Sequence, residues 1–250
     1  MTGKGNELSK GFVLNGKYEI ISKAGEGGYG IAYKAQQIKD GGTVLIKQAR
    51  NRRRKTNHSF EMESSILSSM GNFQTPQLYE QFIVDRHIYL AMEYKNGRTF
   101  EELIFDEDAV YSEAESIAVL KKITAVLAPI HERGIVHRDL RIPNILLDGR
   151  DIHIIDFGLA RNIGDKRKLC LSRKKKRFRE ISFKSDFYCL GHFLLFLLYS
   201  GFSAKEEKEK PWEEELDITP ETRHILRRML QLDFPYERID ELQNDLQNKK

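Results

Sequence analysis

The chain has 250 residues, 40 % hydrophobic and 31 % charged, with a formal net charge of +4. That balance fits a soluble globular protein of one large or two small domains. Two cysteines, Cys170 and Cys189, stand without metal-ligand spacing, which argues against a disulfide scaffold or a zinc site and fits a reducing cytoplasm.

The opening stretch MTGKGNELSKGFVLNGKYEI has no apolar core long enough for a signal peptide. The longest apolar run, Phe193–Tyr199, is too short to span a bilayer and reads as a buried helix. A cytoplasmic location without a membrane partner is therefore expected. The basicity is local. Residues 166–179 hold nine basic and no acidic side chains, and the rest of the chain is net acidic, so the overall charge does not imply general nucleic-acid affinity.

In chain order, YEIIS, GIAYKAQQI and TVLIKQA carry β-branched and aromatic residues in partial alternation and read as strands, with a turn at 39–43. The spacing of Phe60, Met62, Ile66, Leu67 and Met70 predicts a helix over 57–70. LYEQFIV and HIYLAMEY read as two more strands, and Asn96-Gly97 breaks the pattern. Ile117, Leu120, Ile123, Leu127 and Ile130 define one face of a helix over 112–131. Two short strands, a basic stretch, an apolar helix, the acidic KEEKEKPWEEE and two amphipathic segments complete the chain.

Gly25, Gly27 and Gly30 form G-x-G-x-x-G. A dinucleotide-binding turn would need a helix directly after them. Strand, turn and strand follow instead, so the glycines sit in a hairpin, either an ordinary one or one whose backbone closes over phosphates. Lys47 ends the next strand. It either faces solvent or turns inward, and inward it needs a partner. Glu63 suits that role because Ile66 and Leu67 lie three and four residues on; Glu61 has the wrong spacing. In HRDLRIPNILLDGRDIHIIDFG, Asp139 and Asn144 are five apart and Asp156 ends a strand before Phe157-Gly158. One carboxylate can orient a hydroxyl and take its proton, while an amide oxygen and a second carboxylate are hard ligands for Mg²⁺.

With these motifs in this order, residues 17–246 resemble the protein kinases, and in particular the small, soluble, eukaryotic-like Ser/Thr kinases of spore-forming bacteria. The resemblance implies an α+β, two-lobed fold: an N-terminal extension over 1–16, a β-rich N-lobe over 17–95 and an α-helical C-lobe over 96–250, with ATP in the cleft between the lobes. It implies a kinase that moves the γ-phosphoryl of Mg·ATP to Ser/Thr hydroxyls of proteins and can phosphorylate itself. Gly25, Gly27 and Gly30 would cover the phosphates. Lys47 would hold the α- and β-phosphates and pair with Glu63. Ala32, Leu45, Met92 and Leu146 would enclose adenine, with Glu93, Tyr94 and Lys95 as the hinge. Asp139 would be the base, and Asn144 and Asp156 the Mg²⁺ ligands. His137, Phe157, Leu67 and Leu78 match an apolar stack, Asp186 a buried carboxylate under the catalytic loop, and Arg238 a buried C-lobe arginine.

The chain departs from the family's pattern at four points. Arg141 stands where Lys is usual and could neutralise the transferring group, with a planar fork in place of an ammonium. Ala32 and Leu45 exchange the sizes usual at the adenine roof. No Ala-Pro-Glu lies between Gly158 and Asp186, so Arg238 lacks its Glu, for which Glu180 is a candidate substitute. The interval from Gly201 to Thr219 is short, which implies a reduced substrate-docking region. The basic run Arg173–Arg179 then falls in the activation segment. It reads as a mobile solvated loop, as a contact for an acidic protein or for DNA, with Phe178 among the cations, or as a switch in which phosphorylated Ser172 or Ser182 pairs with nearby arginines. A second patch, Arg50–Lys55, reads as a solvated loop or an extension of that surface. The alternative to an active kinase is a kinase-fold binding module docking an acidic partner or nucleic acid; a small-molecule phosphotransferase is a third reading.

Overall fold

The structure, a computed structural model, describes residues 7–28, 30–50, 54–71, 74–165, 172–203 and 210–248. The chain divides into two compact units, Met1–Lys95 and Asn96–Lys250.

The first unit is a six-stranded antiparallel sheet with one helix. Its strands are β1 (Val13–Leu14), β2 (Tyr18–Glu26), β3 (Gly30–Gln37), β4 (Thr43–Ala49), β5 (Leu78–Val84) and β6 (His87–Glu93), in the order β1-β2-β3-β4-β6-β5. Alternation along β4 decides which side chains go where. Val44 and Ile46 enter a core with Tyr18, Ile20, Tyr33, Ala35, Tyr89 and Ala91. Leu45 and Lys47 project from the opposite face. Helix α1 (Arg54–Met70) buries Phe60, Glu63, Ile66, Leu67 and Met70, an i, i+3, i+4, i+7 stripe.

The second unit is mainly helical. It contains α2 (Phe100–Phe105), α3 (Glu113–Glu132), α4 (Arg173–Arg179), α5 (Phe183–Tyr199), α6 (Trp212–Glu215), α7 (Pro220–Met229) and α8 (Ile239–Asn248). Short strands β7 (Arg98–Thr99), β9 (Ile145–Asp148) and β10 (Asp151–Ile154) form one sheet; β8 (Ile135–Val136) and β11 (Arg161–Asn162) pair in another. The five apolar positions expected on one face of α3 are all buried, and α5 buries Leu190, Phe193, Leu194 and Leu197. Capping boxes start α2 (Thr99, Glu102) and α3 (Ser112, Glu115). The T-x-x-E of α2 was legible in the sequence but lay in a stretch read only as a break. Among the described residues no helix is long and apolar enough to cross a membrane.

Candidate active site

In the first unit, strand register sets Gly25, Ala32, Lys47 and Leu90 side by side across four strands, and Leu45 lies opposite Met92 in a neighbouring row. Residues directly opposite share a face, so the adenine-site and phosphate-site candidates of this unit line one side of the sheet. Lys47 Nζ donates to Glu63 Oε1 at 2.5 Å, with Glu63 2 % exposed. Glu61, on the other side of α1, is exposed and lies beside His58. Met92 is buried, and Glu93 Oε1 accepts from Lys95 at 2.8 Å while Glu93 Oε2 accepts from the Gln77 amide. Lys34 Nζ sits 4.6 Å from the centre of the Tyr94 ring.

The three glycines differ physically. A Cβ on Gly25 or Gly27 would meet no protein atom within 4 Å, so packing does not demand glycine there. A Cβ on Gly30 would run into the Gln48 carbonyl oxygen and approach Phe60. Gly30→Ala is therefore expected to cost about 1–3 kcal/mol of stability by overpacking, while Gly25→Ala stays within about 0.5 kcal/mol; urea unfolding midpoints of the two variants check this. Arg50 steadies the hairpin through Glu26 (2.6 Å) and the Gly27 carbonyl (3.2 Å). Of the patch Arg50–Lys55, residues 51–53 and the side chains of 54 and 55 lie outside the described residues.

In the second unit the site is a loop pinned from below. Asp186 on α5 is fully buried and accepts from the His137 amide (2.8 Å), the Arg138 amide (2.5 Å) and His131 Nε2 (2.9 Å). Those bonds hold Arg138 at φ 67°, a left-handed conformation costly for a side-chain-bearing residue. His137, its ring against Phe157 at 4.6 Å and hydrogen-bonded to the Ile155 carbonyl, is kept neutral because burial lowers its pKa. Asp139 follows and is 7 % exposed. Its carbonyl accepts from the Arg141 amide and from Asn144 Nδ2, both at 2.9 Å. The amide nitrogen of Asn144 thus donates within the loop, which identifies Oδ1 as the end of the side chain that can act as an acceptor. Asp156, also left-handed at φ 62°, accepts from the Gly158 amide at 3.2 Å and is exposed. Leu146 on β9 is 6 % exposed.

Two arginines close on the Asp139 carboxylate. Arg141 donates Nε to Oδ1 at 2.7 Å and Nη2 to Oδ2 at 3.3 Å. Arg179 donates Nη1 to Oδ1 at 2.9 Å. Sequence reading had given Arg179 no individual role, and no local signal marks it out from its basic neighbours.

A protein kinase domain model matches residues 18–247. The chain belongs to the protein kinase family. It is 31 % identical over 242 residues to Probable serine/threonine-protein kinase YbdM of Bacillus subtilis, covering 96 % of this chain and 91 % of that one. It is 27 % identical to Serine/threonine-protein kinase B of Synechocystis, covering 88 % of this chain but 44 % of that longer protein. The crystal structure of the PF14_0431 kinase domain aligns with a TM-score of 0.67 at 21 % identity, over 82 % of this chain and 70 % of that one, a likeness of fold.

Two sequence readings of this kinase domain are corrected. Arg238 is not a buried arginine held by Glu180: its side chain is 75 % exposed, and Nε donates to Asp240 at 2.9 Å. A guanidinium left without a buried carboxylate gains nothing by leaving water. The largely buried arginine of this region is Arg228, which bonds Glu241 and Asp245 at 2.8 Å each and lies over the Tyr236 ring. The second correction concerns the basic run, which is helix α4 and not a solvated loop. Ser172 caps it, and the Phe178 ring packs on Tyr188 and His192, so Phe178 anchors the helix. Ser182 caps α5. Cys170 lies outside the described residues; Cys189 is buried and free.

Proposed function

We propose that the chain is an active Ser/Thr protein kinase, with Mg²⁺ and ATP as cofactors, that phosphorylates protein hydroxyls, its own included. The observation that carries this reading is the Asp186-pinned loop, in which one set of hydrogen bonds fixes Asp139 and the oxygen end of Asn144 together. In this reading Asp139 orients the acceptor hydroxyl and takes its proton. Asn144 and Asp156 offer one amide and one carboxylate oxygen; a Mg²⁺ ion held by these two would complete its shell with phosphate and water, as that ion prefers. The donor set therefore fits. Bound Mg·ATP would supply the phosphoryl group and neutralise its charge.

The remaining assignments follow the same reading. Lys47, oriented by Glu63, holds phosphate oxygens, and Gly25, Gly27 and Gly30 cover them. Ala32, Leu45, Met92 and Leu146 contact adenine, with Glu93 and Tyr94 as hinge. The short interval from Gly201 to Thr219, in which α6 is one helical turn and residues 204–209 lie outside the described ones, leaves a small platform for peptide docking.

The test is label transfer from γ-labelled ATP with Mg²⁺, comparing wild type with Asp156→Asn and mapping labelled residues by mass spectrometry. Label on serine or threonine, lost in the variant, is the expected result. Retained nucleotide binding without transfer to any acceptor would favour a binding module.

A further inference from the structure

Arg179 touches the group that, in the proposed function, must be free to receive a hydroxyl. A carboxylate offers about four acceptor positions. At Asp139 the two arginines take three, two of them on Oδ1. Each kinase turnover needs an acceptor hydroxyl within about 2.6–3.2 Å of one of those oxygens. Arg141 is fixed next door in the loop and 52 % exposed, whereas Arg179 reaches in from another element and is 26 % exposed.

The backbone that carries Arg179 is held independently of Asp139. Arg138 Nε donates to the Arg179 carbonyl at 2.8 Å, Nη2 donates to the same oxygen, and Nη1 donates to the Leu159 carbonyl at 2.9 Å. Arg179 Nη1, the nitrogen that reaches Asp139, also donates to the Arg138 carbonyl, so the side chain gives up both bonds when it turns away. With Phe178 seated on Tyr188 and His192, the end of α4 is fixed, and only the Arg179 side chain need rotate to uncover Asp139. Lys175, Lys176 and Arg177 are exposed on the same helix, so what approaches Asp139 past α4 meets a cationic surface. Asp139 is buried but the Arg179 side chain keeps about a quarter of its surface in water, so a carboxylate arriving from solvent can reach the guanidinium and offer it a replacement partner.

We propose that Arg179 is a positioning residue that withholds Asp139 until a carboxylate of an incoming peptide takes its guanidinium, which makes this kinase selective for serines or threonines flanked by Asp or Glu. The proposal rests on the kinase reading above and adds to it the chemistry of the substrate. Acidic peptides exchange one partner of Arg179 for another; neutral peptides must strip a cation from the base with nothing to offer it. Charge complementarity with α4 draws in the same peptides.

The experiment compares kcat and KM for two serine peptides of equal length, one with flanking Asp/Glu and one with Gln/Asn, on the full chain and on Arg179→Gln. Wild type is expected to favour the acidic peptide in kcat/KM by about tenfold or more. In Arg179→Gln the ratio should fall toward unity, through a raised kcat on the neutral peptide and a raised KM on the acidic one. A simple loss of structure would lower both rates together. On wild type alone, raising salt should shrink the ratio, a readout that survives even if the variant does not fold.

An unchanged ratio in Arg179→Gln, or a wild-type ratio indifferent to salt, overturns the proposal while leaving the kinase intact. Equal use of both peptides, with duplex DNA raising the neutral rate, overturns it in favour of a nucleic-acid activator. Transfer to no acceptor by wild type or Arg179→Gln, with Asp156→Asn no different, overturns the kinase reading and the gate with it.

Discussion

Asp139→Asn is expected to lower phosphoryl transfer by about 10²–10⁴-fold, against a typical kinase turnover of about 1–100 s⁻¹, while the protein still folds and binds nucleotide. The asparagine keeps the shape of the side chain and one oxygen, so it can still accept from Arg141 or Arg179, whose bonds to Oδ1 are 2.7 and 2.9 Å. The main-chain bonds that build the loop, from Arg141 and Asn144 to the Asp139 carbonyl, do not involve the carboxylate at all. What disappears is the proton acceptor. Initial rates of label incorporation, set beside fluorescent-nucleotide titration and a thermal melt, separate these effects. An unchanged rate would remove Asp139 from the role of base, and with it the reason to regard Arg179 as a gate.

Asp186→Ala is expected to destabilise the protein by about 3–5 kcal/mol, because removing one partner of a buried charged network leaves the others unpaired. For a chain of this size that corresponds to a fall in Tm of roughly 6–20 °C. The loss has three parts: two buried backbone N–H groups and one imidazole lose their acceptor. Asp186→Asn should rescue little. Both carboxylate oxygens accept, Oδ1 from Arg138 and Oδ2 from His137 and His131, so an amide NH₂ at either place would face a donor. Phosphoryl transfer should fall with stability, since the left-handed Arg138 that precedes Asp139 hangs its backbone amide on Asp186 Oδ1. Asp240→Asn, a change at an exposed side chain whose leading partner is Arg238 and which keeps an oxygen for the backbone amides at the start of α8, serves as the control and should stay within about 0.5 kcal/mol. A melt in which both variants behave alike would mean that the loop is held by something else.

The strands of the first unit were legible because alternation and turn residues are local, and α3 because five apolar residues at helical spacing leave little choice of face. The choice of Glu63 over Glu61 was legible for the same reason, since a helix that buries Ile66 and Leu67 must turn residue 63 inward. Helix α2 was within reach through its T-x-x-E but was passed over beside Asn96-Gly97. Helix α4 was not legible. Six basic residues in seven repel one another, and what overcomes this is distant in sequence: Tyr188 and His192 under Phe178, and Arg138 on the Arg179 carbonyl. Arg238 failed in the opposite direction. Its position in a motif suggested burial, but burial of a guanidinium depends on a carboxylate elsewhere in the chain, and the network formed around Arg228 instead.

The amino-acid sequence by itself determined the family and most of the strands and longer helices, because those are carried by residue type and spacing along the chain. Only the tertiary structure decided that two arginines rest on Asp139 and that one of them comes from the end of helix α4. Residues 139 and 179 are forty positions apart, and the energy of an ion pair depends on distance in space and on the water around it, neither of which is written in the local sequence.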